Sequence, residues 1–562
     1  MPPMPASFGF RGAFRIDLPA RAVYSESAGI ARILPHAVAV PLDADDVAAI
    51  VRWAAQTNAP LVPRGSGSSM AGGAIGDGVI VDLSRLDAME APDVASGTIR
   101  CGPGAVRDAV DRAARGVGLQ FPVDPSSGAF CTVGGMVSTN AAGAHTLRYG
   151  STRAWVEAID CVFADGSRAE LRRGTPAPEI PLVARALDAL APVIAEERAS
   201  PSRHADVRKE SSGYGLAAFA ESGHLIDLIA GSEGTLALIV GLELRLAPLR
   251  PHTASVLGAF ATLEGAVVGA DGARRMGAVA CEALDRTFLD VARRGGAPVP
   301  TPEDAESVLL AEVEADTPEE ATAMVRAIES EFRSAGATAI TLALDPATEH
   351  ALWEIRHAAS PILNRLDPSL TSMQLIEDAC VPPERLAEYV RGVRAALEHH
   401  GIRGVIFGHA GDAHMHVNAM VRVGEPDWRS HIEGLLDDVT ALVARLGGTI
   451  TGEHGDGRLR APLLPRVWSA ESVAHFAAVK RAFDPEGILN PGAKVALEGE
   501  RAVVDVKYDP SLPPLPEPAR VALARVERER AYARSRLALL DEAARIAQPD
   551  EPARLDAPRG DA

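Results

Sequence analysis

The chain has 562 residues, of which 47% are apolar and 23% charged, with a mean hydropathy of +0.05. Lys plus Arg number 56 against 75 Asp plus Glu, a net charge of −19. That balance excludes the broad positive field of a nucleic-acid binder but allows a local basic pocket for a small anion.

The five cysteines, Cys101, Cys131, Cys161, Cys281 and Cys380, include no C-x-x-C pair, so the common iron–sulfur and zinc-ribbon spacings are absent. Wide separation and an odd count predict reduced, buried thiols and a cytoplasmic setting. MPPMPASFGFRGAFRIDL has no apolar core of about 7–15 residues, so it does not read as a secretory signal. No run approaches the ~20 apolar residues of a membrane-spanning helix.

Residues 1–36 read as an irregular N-terminal segment. A strand then runs from Ala37 into Asp43, a helix N-cap, with Asp46 in the first turn and Val47, Ile50, Val51 and Ala54 at helical spacing. Asn58 closes that helix, and Leu61–Val62–Pro63 predicts a short strand. VIVDL and GTIRC predict strands, AVRDAVDRAA a helix, and Asp165–Gly166 a hairpin turn. LALIVGLELRLAP continues the pattern to a boundary bracketed by Pro248 and Pro251. A second block alternates strands such as SVLLAEVE and GVIFGHA with helices such as TPEEATAMVRAIESEFRSAG. SLPPLPEP is a Pro-rich spacer before one charged helix carrying Val521, Leu523, Val526, Leu537 and Leu540, read as lying on its own domain, with a partner-docking helix as the alternative. The limits are thus 1–36, a first domain over 37–249, a second over 250–498 and a tail over 499–562. Both domains read as α+β.

PRGSGSSMAGG follows a strand, and its glycines and serines allow backbone N–H groups to converge on an anion. It is neither a Walker loop nor a dinucleotide fingerprint, because no Gly-Lys-Ser/Thr and no helix follow. FPVDPSSGAFCTVGGMVSTNAAGAHTLRYG and LIAGSEGTLALI add two more glycine-dense turns beside apolar runs. Three such turns suggest one extended polar cofactor lying along the backbone.

These strings resemble, in order and spacing, the FAD-binding domain of the vanillyl-alcohol oxidase and p-cresol methylhydroxylase (PCMH) superfamily, over about residues 38–248. The resemblance implies that Arg64, Gly65, Ser66, Gly67, Ser68 and Ser69 hold the FAD pyrophosphate. It places Asp124, Pro125, Ser126, Gly134, Gly135, Asn140 and Gly143 along the flavin and adenine path, completed by Gly231, Ser232, Glu233, Gly234, Thr235 and Ile239. The histidine that carries covalent flavin in some members has no counterpart in RGSGSS, so non-covalent FAD is expected. His145 is the nearest histidine elsewhere and reads as structural or near the flavin.

The second block carries FGHAGDAHMHVNAM and TGEHGDGR. Histidines at i and i+2 on a strand share a face, which suits two imidazoles converging on one ion. His409 and His416 differ by an odd number, and Gly411 is the expected turn that brings them together. On spacing alone, a hydrolase with an H-x-H metal centre is the competing chemistry.

These strings are similar to the C-terminal motifs of FAD-linked D-2-hydroxyacid dehydrogenases, a group that includes D-lactate dehydrogenases, the glycolate oxidase flavin subunit and D-2-hydroxyglutarate dehydrogenase. The implied architecture is a PCMH-type FAD-binding domain followed by an α+β C-terminal FAD-linked oxidase (cap) domain. Carried over by position, His409, His416 and Glu453 bind a divalent metal, often zinc, while Asn418 and His454 face substrate. His414 stands where the pattern usually has Asn, so its role as a fourth ligand or a neighbour is open. ILNPGAKV places Asn490 near the flavin, and WEIRHAAS makes Arg356 the partner of a substrate carboxylate. Ile376 occupies the position where the 2-hydroxyglutarate branch carries a lysine, which disfavours a dicarboxylate.

The expected activity is FAD-dependent oxidation of a small D-2-hydroxy acid, of D-lactate or glycolate type, with His454 as general base. The alternatives are a D-2-hydroxyglutarate dehydrogenase activity or a flavin subunit of an electron-transfer complex. No cysteine follows Cys380, so electrons are expected to leave to a separate quinone, cytochrome, flavoprotein or iron–sulfur subunit. A homodimer and a peripheral position at the inner membrane face are compatible with this reading.

Overall fold

A computed structural model describes residues 8–296, 301–367, 369–503 and 505–547. The first domain is built on two four-stranded sheets. One runs Ala13–Arg15, Ala37–Val40, Val79–Asp82, Leu61–Arg64, with its last three strands parallel. The residues of Ala37–Val40 and Val79–Asp82 are buried throughout, as expected of short parallel strands covered on both faces. The other sheet is antiparallel: Thr98–Cys101, Ala237–Arg245, Val156–Phe163, Arg168–Arg172. Its hairpin turns at Asp165–Gly166, where Gly166 has φ +80°.

The helix Ala44–Thr57 shows how the sequence dictates its element. Asp43 accepts hydrogen bonds from the Asp45 and Asp46 N–H groups, and Asn58 ends the helix in the left-handed region. Val47, Ile50, Val51 and Ala54 form its buried stripe.

The second domain is one antiparallel sheet, ordered Ala337–Ala343, His252–Phe260, Ser307–Ala315, Ala280–Asp285, Arg403–His409, His414–Val421, Thr371–Met373, with Ala379–Cys380 also paired to His414–Val421. Helices Leu263–Arg275 and Pro318–Ser334 pack against its strands.

Two expectations need correction. The segment ahead of Ala37 is not irregular: Ala13–Arg15 adds an edge strand, and Leu18–Val23 is a helix capped by Asp17. Its six residues are too few for periodicity to register. The tail forms two helices rather than one, Glu517–Glu529 and Arg536–Ala547, separated at Arg530 with φ +51°. They pack with Leu18–Val23 into an apolar cluster with Val38, Val62 and Ile80. Residues 548–562 lie outside the described residues.

Candidate active site

A cavity of about 1650 Å³ runs between the two domains. It exceeds the ~300–1,000 Å³ of ordinary small-ligand pockets, which gives room for an extended cofactor and a substrate together.

The first domain lines it with the loop Arg64–Ser69, the Asp124–Ser127 turn, Gly134, Gly135, Gly143, Glu233, Gly234 and Ile239. Two of these glycines are sterically required. A Cβ on Gly134 would strike Pro103, and one on Gly143 would strike the Asp124 backbone. The buried Ser69 hydroxyl has no protein partner, so this loop carries free polar capacity beside exposed backbone, as an anionic cofactor requires.

Other residues expected along the cofactor path act at one remove. The Arg64 guanidinium sits beneath the loop and donates to the carbonyls of Tyr24, Glu26 and Ala74. Its side chain therefore braces the turn. Asn140, Gly231, Ser232, Thr235 and Asn490 do not line the cavity. Asn140 is a left-handed helix cap whose Oδ1 accepts from the Arg153 N–H. The Gly231 N–H donates to Val137 O, and the Thr235 hydroxyl donates to Ser232 O. Asn490 is fully buried; its amide donates to the carbonyls of Gly73 and Glu233 and its Oδ1 accepts from Arg458. These residues shape the cofactor loops through backbone carbonyls and N–H groups, a role that a motif does not distinguish from direct contact.

The second domain brings its histidines together through the hairpin Arg403–His409 and His414–Val421, in which His409 pairs with His414 and Phe407 with His416. The turn's left-handed residue is Ala413, with φ +54°, rather than Gly411. Gly411 is needed for space instead, since its Cβ would strike Leu147. His414, His416 and Asn418 alternate onto one face, and Asn418 lines the cavity.

His409 Nε2 and His416 Nε2 are 3.4 Å apart, and each lies 3.5 Å from Glu453 Oε1. Three atoms so spaced surround a point about 2.0 Å from each, close to a metal–ligand bond length. Second contacts orient the donors. His409 Nδ1 meets Glu282 Oε1 at 2.5 Å, and His416 Nδ1 meets the Glu377 carbonyl at 2.7 Å, so both Nε2 atoms face inward. Burial, with His414 and His409 nearby, keeps His416 well below the usual imidazole pKa and so neutral. Burial opposes ionisation of Glu453, but Lys209 and His409 outweigh it and hold the carboxyl well below its usual range. Burial opposes charging of His409, but Glu282 outweighs it and raises its pKa to about 9, so a divalent cation at the triangle would take the place of that proton beside neutral His416 and the ionised Glu453. His414 belongs to the same buried group, with a ligand atom within 4.8 Å of the others. Its Nε2 is held by Asp378 at 2.9 Å and its Nδ1 has no partner.

His454 stands beside this centre, its Nδ1 at 3.3 Å from Glu377 and its Nε2 at 3.8 Å from Glu453. Burial lowers its pKa, but Asp378 and Glu377 outweigh burial and raise it. Arg356 lines the cavity, with Nε on Glu282 at 2.7 Å and its guanidinium over the Phe407 ring. That is its one described hydrogen bond, so donors remain for a carboxylate. His145 links Asp124, at 2.5 Å, to Glu312 of the second domain, at 2.9 Å.

Three important residues lacked a motif: Glu282, Glu377 and Lys209. Asp378, which opens the family's D-x-x-x-P string ending at Pro382, is the organiser and accepts from the Glu453 and His454 N–H groups and from Arg460. One signal was available for Lys209. The chain has four lysines against 52 arginines, and all four, Lys209, Lys480, Lys494 and Lys507, are buried or nearly so beside a carboxylate.

The profile described as "FAD binding domain" matches residues 35–172, and that described as "FAD linked oxidases, C-terminal domain" matches 249–493. Glycolate oxidase subunit GlcD of Bacillus subtilis is 29% identical over 476 residues, covering 84% of this chain and 91% of that protein. D-lactate dehydrogenase of Archaeoglobus fulgidus is 29% identical over 464 residues, covering 82% and 91%. D-2-hydroxyglutarate dehydrogenase of Pseudomonas putida is 29% identical over 514 residues, covering 86% of this chain but 50% of that protein. The chain thus spans about half the length of this last relative. Among solved structures, 4-ethylphenol oxidase from Gulosibacter chungangensis shares the fold with a TM-score of 0.63 at 15% identity, over 87% of this chain and 95% of that one.

Proposed function

The chain belongs to the FAD-linked oxidase family, and we propose on that basis that it oxidises a small D-2-hydroxy acid, of D-lactate or glycolate type, to the 2-oxo acid. The observation that carries the substrate reading is the adjacency of Arg356 to the His409–His416–Glu453 triangle through Glu282. An α-hydroxy acid carries its carboxylate and hydroxyl on neighbouring carbons, so a cationic fork beside a metal-ready triangle matches it.

When bound, FAD supplies the two-electron acceptor and a divalent ion at the triangle supplies an electrophile near the hydroxyl. Arg356 holds the carboxylate through its terminal amino groups. His454, with Nδ1 turned to Glu377, takes the hydroxyl proton at Nε2. Asn418 orients the same substrate from the strand bearing His416. The two-imidazole, one-carboxylate donor set accommodates a divalent ion, and the family resemblance favours zinc.

Substrate size follows from charge. Among the described cavity-lining residues of the second domain, Arg356 is the one arginine or lysine, while Glu312 and Glu349 also line that part. A second carboxylate would meet those acids without a cationic partner, which favours a monocarboxylate. The proposal includes transfer of the electrons to a separate acceptor; the five free cysteines, all buried, supply no iron–sulfur ligand set of the usual spacing.

Anaerobic mixing with a panel of D-2-hydroxy acids tests this reading by bleaching of the oxidised flavin band. D-lactate or glycolate is expected to bleach it faster than D-2-hydroxyglutarate or any L-enantiomer. Failure of every hydroxy acid to reduce the bound flavin would refute the proposal.

A further inference from the structure

The tail after residue 498 lies beyond both matched profiles, yet it forms part of the cavity wall. Its two helices are anchored by Ala519, Val526, Leu539 and Leu540 against the sheet that carries the glycine loop. Between those helices, Arg530 and Tyr532 line the cavity. The Tyr532 ring stacks on Phe130 at 5.1 Å, and Phe130, just beyond the Asp124–Ser127 turn, lines the same space.

Arg536 follows in the second helix. It is buried, donates to the Ser66 carbonyl at 3.1 Å and leaves its Nε without a partner. Burial, reinforced by the neighbouring Arg64, lowers its pKa to about 10. The local charges do not cancel. Arg32 pairs with Glu26 and Lys507 with Glu527, which leaves Arg64 and Arg536 facing Asp82. Asp82 in turn accepts from the Tyr24 hydroxyl and the Ser84 N–H. Among the described residues, one buried positive charge beneath the glycine loop therefore lacks a counter-ion, and an anion bound on the loop would supply it.

We propose that the C-terminal tail is part of the cofactor site, with Arg530 and Tyr532 contacting the pyrophosphate–adenosine end of FAD and Arg536 positioning the glycine loop through Ser66. This rests on the FAD reading. The end is assigned by chemistry: the redox ring must reach the substrate held by the second domain, so the loop-and-tail region receives the anionic remainder.

The test is titration of the full-length apoprotein with FAD, and with ADP as a probe of that end alone. Arg530→Gln and Tyr532→Ala are expected to weaken both ligands about tenfold or more. Arg536→Gln is expected to weaken them and Arg536→Lys to regain part of the loss. Arg528→Gln, at a side chain 71% exposed, should bind as the parent does. Arg530 is itself exposed, so its variant reports affinity on a folded chain even if Tyr532→Ala loosens the tail. Affinities within twofold of the parent for both Arg530→Gln and Tyr532→Ala would overturn the tail's role and leave the FAD reading intact. A parent chain that binds no FAD would overturn the cofactor reading and the tail's role with it.

Discussion

Lys209 Nζ lies 2.8 Å from Glu453 Oε2 although 244 residues separate them. Glu453 thereby divides its two oxygens, one for a lysine from the first domain's final third and one for the imidazoles of the second. Lys209 also donates to the Gly143 carbonyl, which ties the metal-ready centre to a cavity-lining glycine. The two halves of the cavity are thus joined at one buried carboxylate.

Removing that lysine leaves Glu453 buried and under-compensated. Lys209→Met is expected to cost roughly 3–5 kcal/mol in denaturant unfolding. A bound divalent cation offsets the same charge, so the loss should be larger in chelator-treated protein than in metal-loaded protein. An equal loss in both states would contradict this coupling.

Glu282 holds Nδ1 of His409 and Nε of Arg356 together. Glu282→Gln keeps the shape but removes the charge that orients the ligand. Metal affinity in chelator competition is expected to fall about 10–100-fold. Unchanged affinity would show that the histidine is oriented by packing alone.

Arg356 is the proposed partner of the substrate carboxylate. Arg356→Met should lower kcat/KM for the hydroxy acid about 30-fold or more. Arg356→Lys should recover little, because an ammonium cannot reproduce the fork. Steady-state kinetics with D-lactate or glycolate reads both.

His145 sits between Asp124 and Glu312. Burial opposes its charging, but the two carboxylates outweigh burial and raise its pKa well above the usual imidazole value. A native pKa above the unfolded one means that protonation stabilises the fold. The stabilisation is fully present below about pH 6.5, the unfolded value, and is lost as pH rises through the native pKa. The Tm difference between the parent and His145→Gln should be largest below about pH 6.5 and shrink at higher pH. A difference that grows with pH would contradict the assignment.

Burial raises the thiol of Cys131 to about 11 and those of Cys101 and Cys380 to about 12, and it raises Cys161 and Cys281 as well. At about pH 8 none should react with a disulfide reagent in the native protein, and all five should react in denaturant. Rapid native labelling of any one would place a reactive thiol where a closed core is described.

The sequence by itself determined the parts governed by local chemistry. Asp43 and Asn58 bound a helix because a carboxylate can cap N–H groups and an asparagine tolerates the left-handed region. The glycine turns and the His409, His416 and Asn418 pattern were legible because close backbone approach and strand alternation act over a few residues. Tertiary structure alone decided what depends on distant partners. Glu282 reaches His409 across 127 residues and Asp378 organises Glu453 across 75, and neither spacing leaves a periodic trace. The same holds for Asn490 and Arg64, whose side chains hold backbone carbonyls, and for Arg536, which meets Ser66 across 470 residues. A chain with net charge −19 nevertheless concentrates buried cations beneath one loop and beside one histidine–carboxylate triangle. Burial makes each of those charges depend on its immediate partners, and only the folded chain specifies who those partners are.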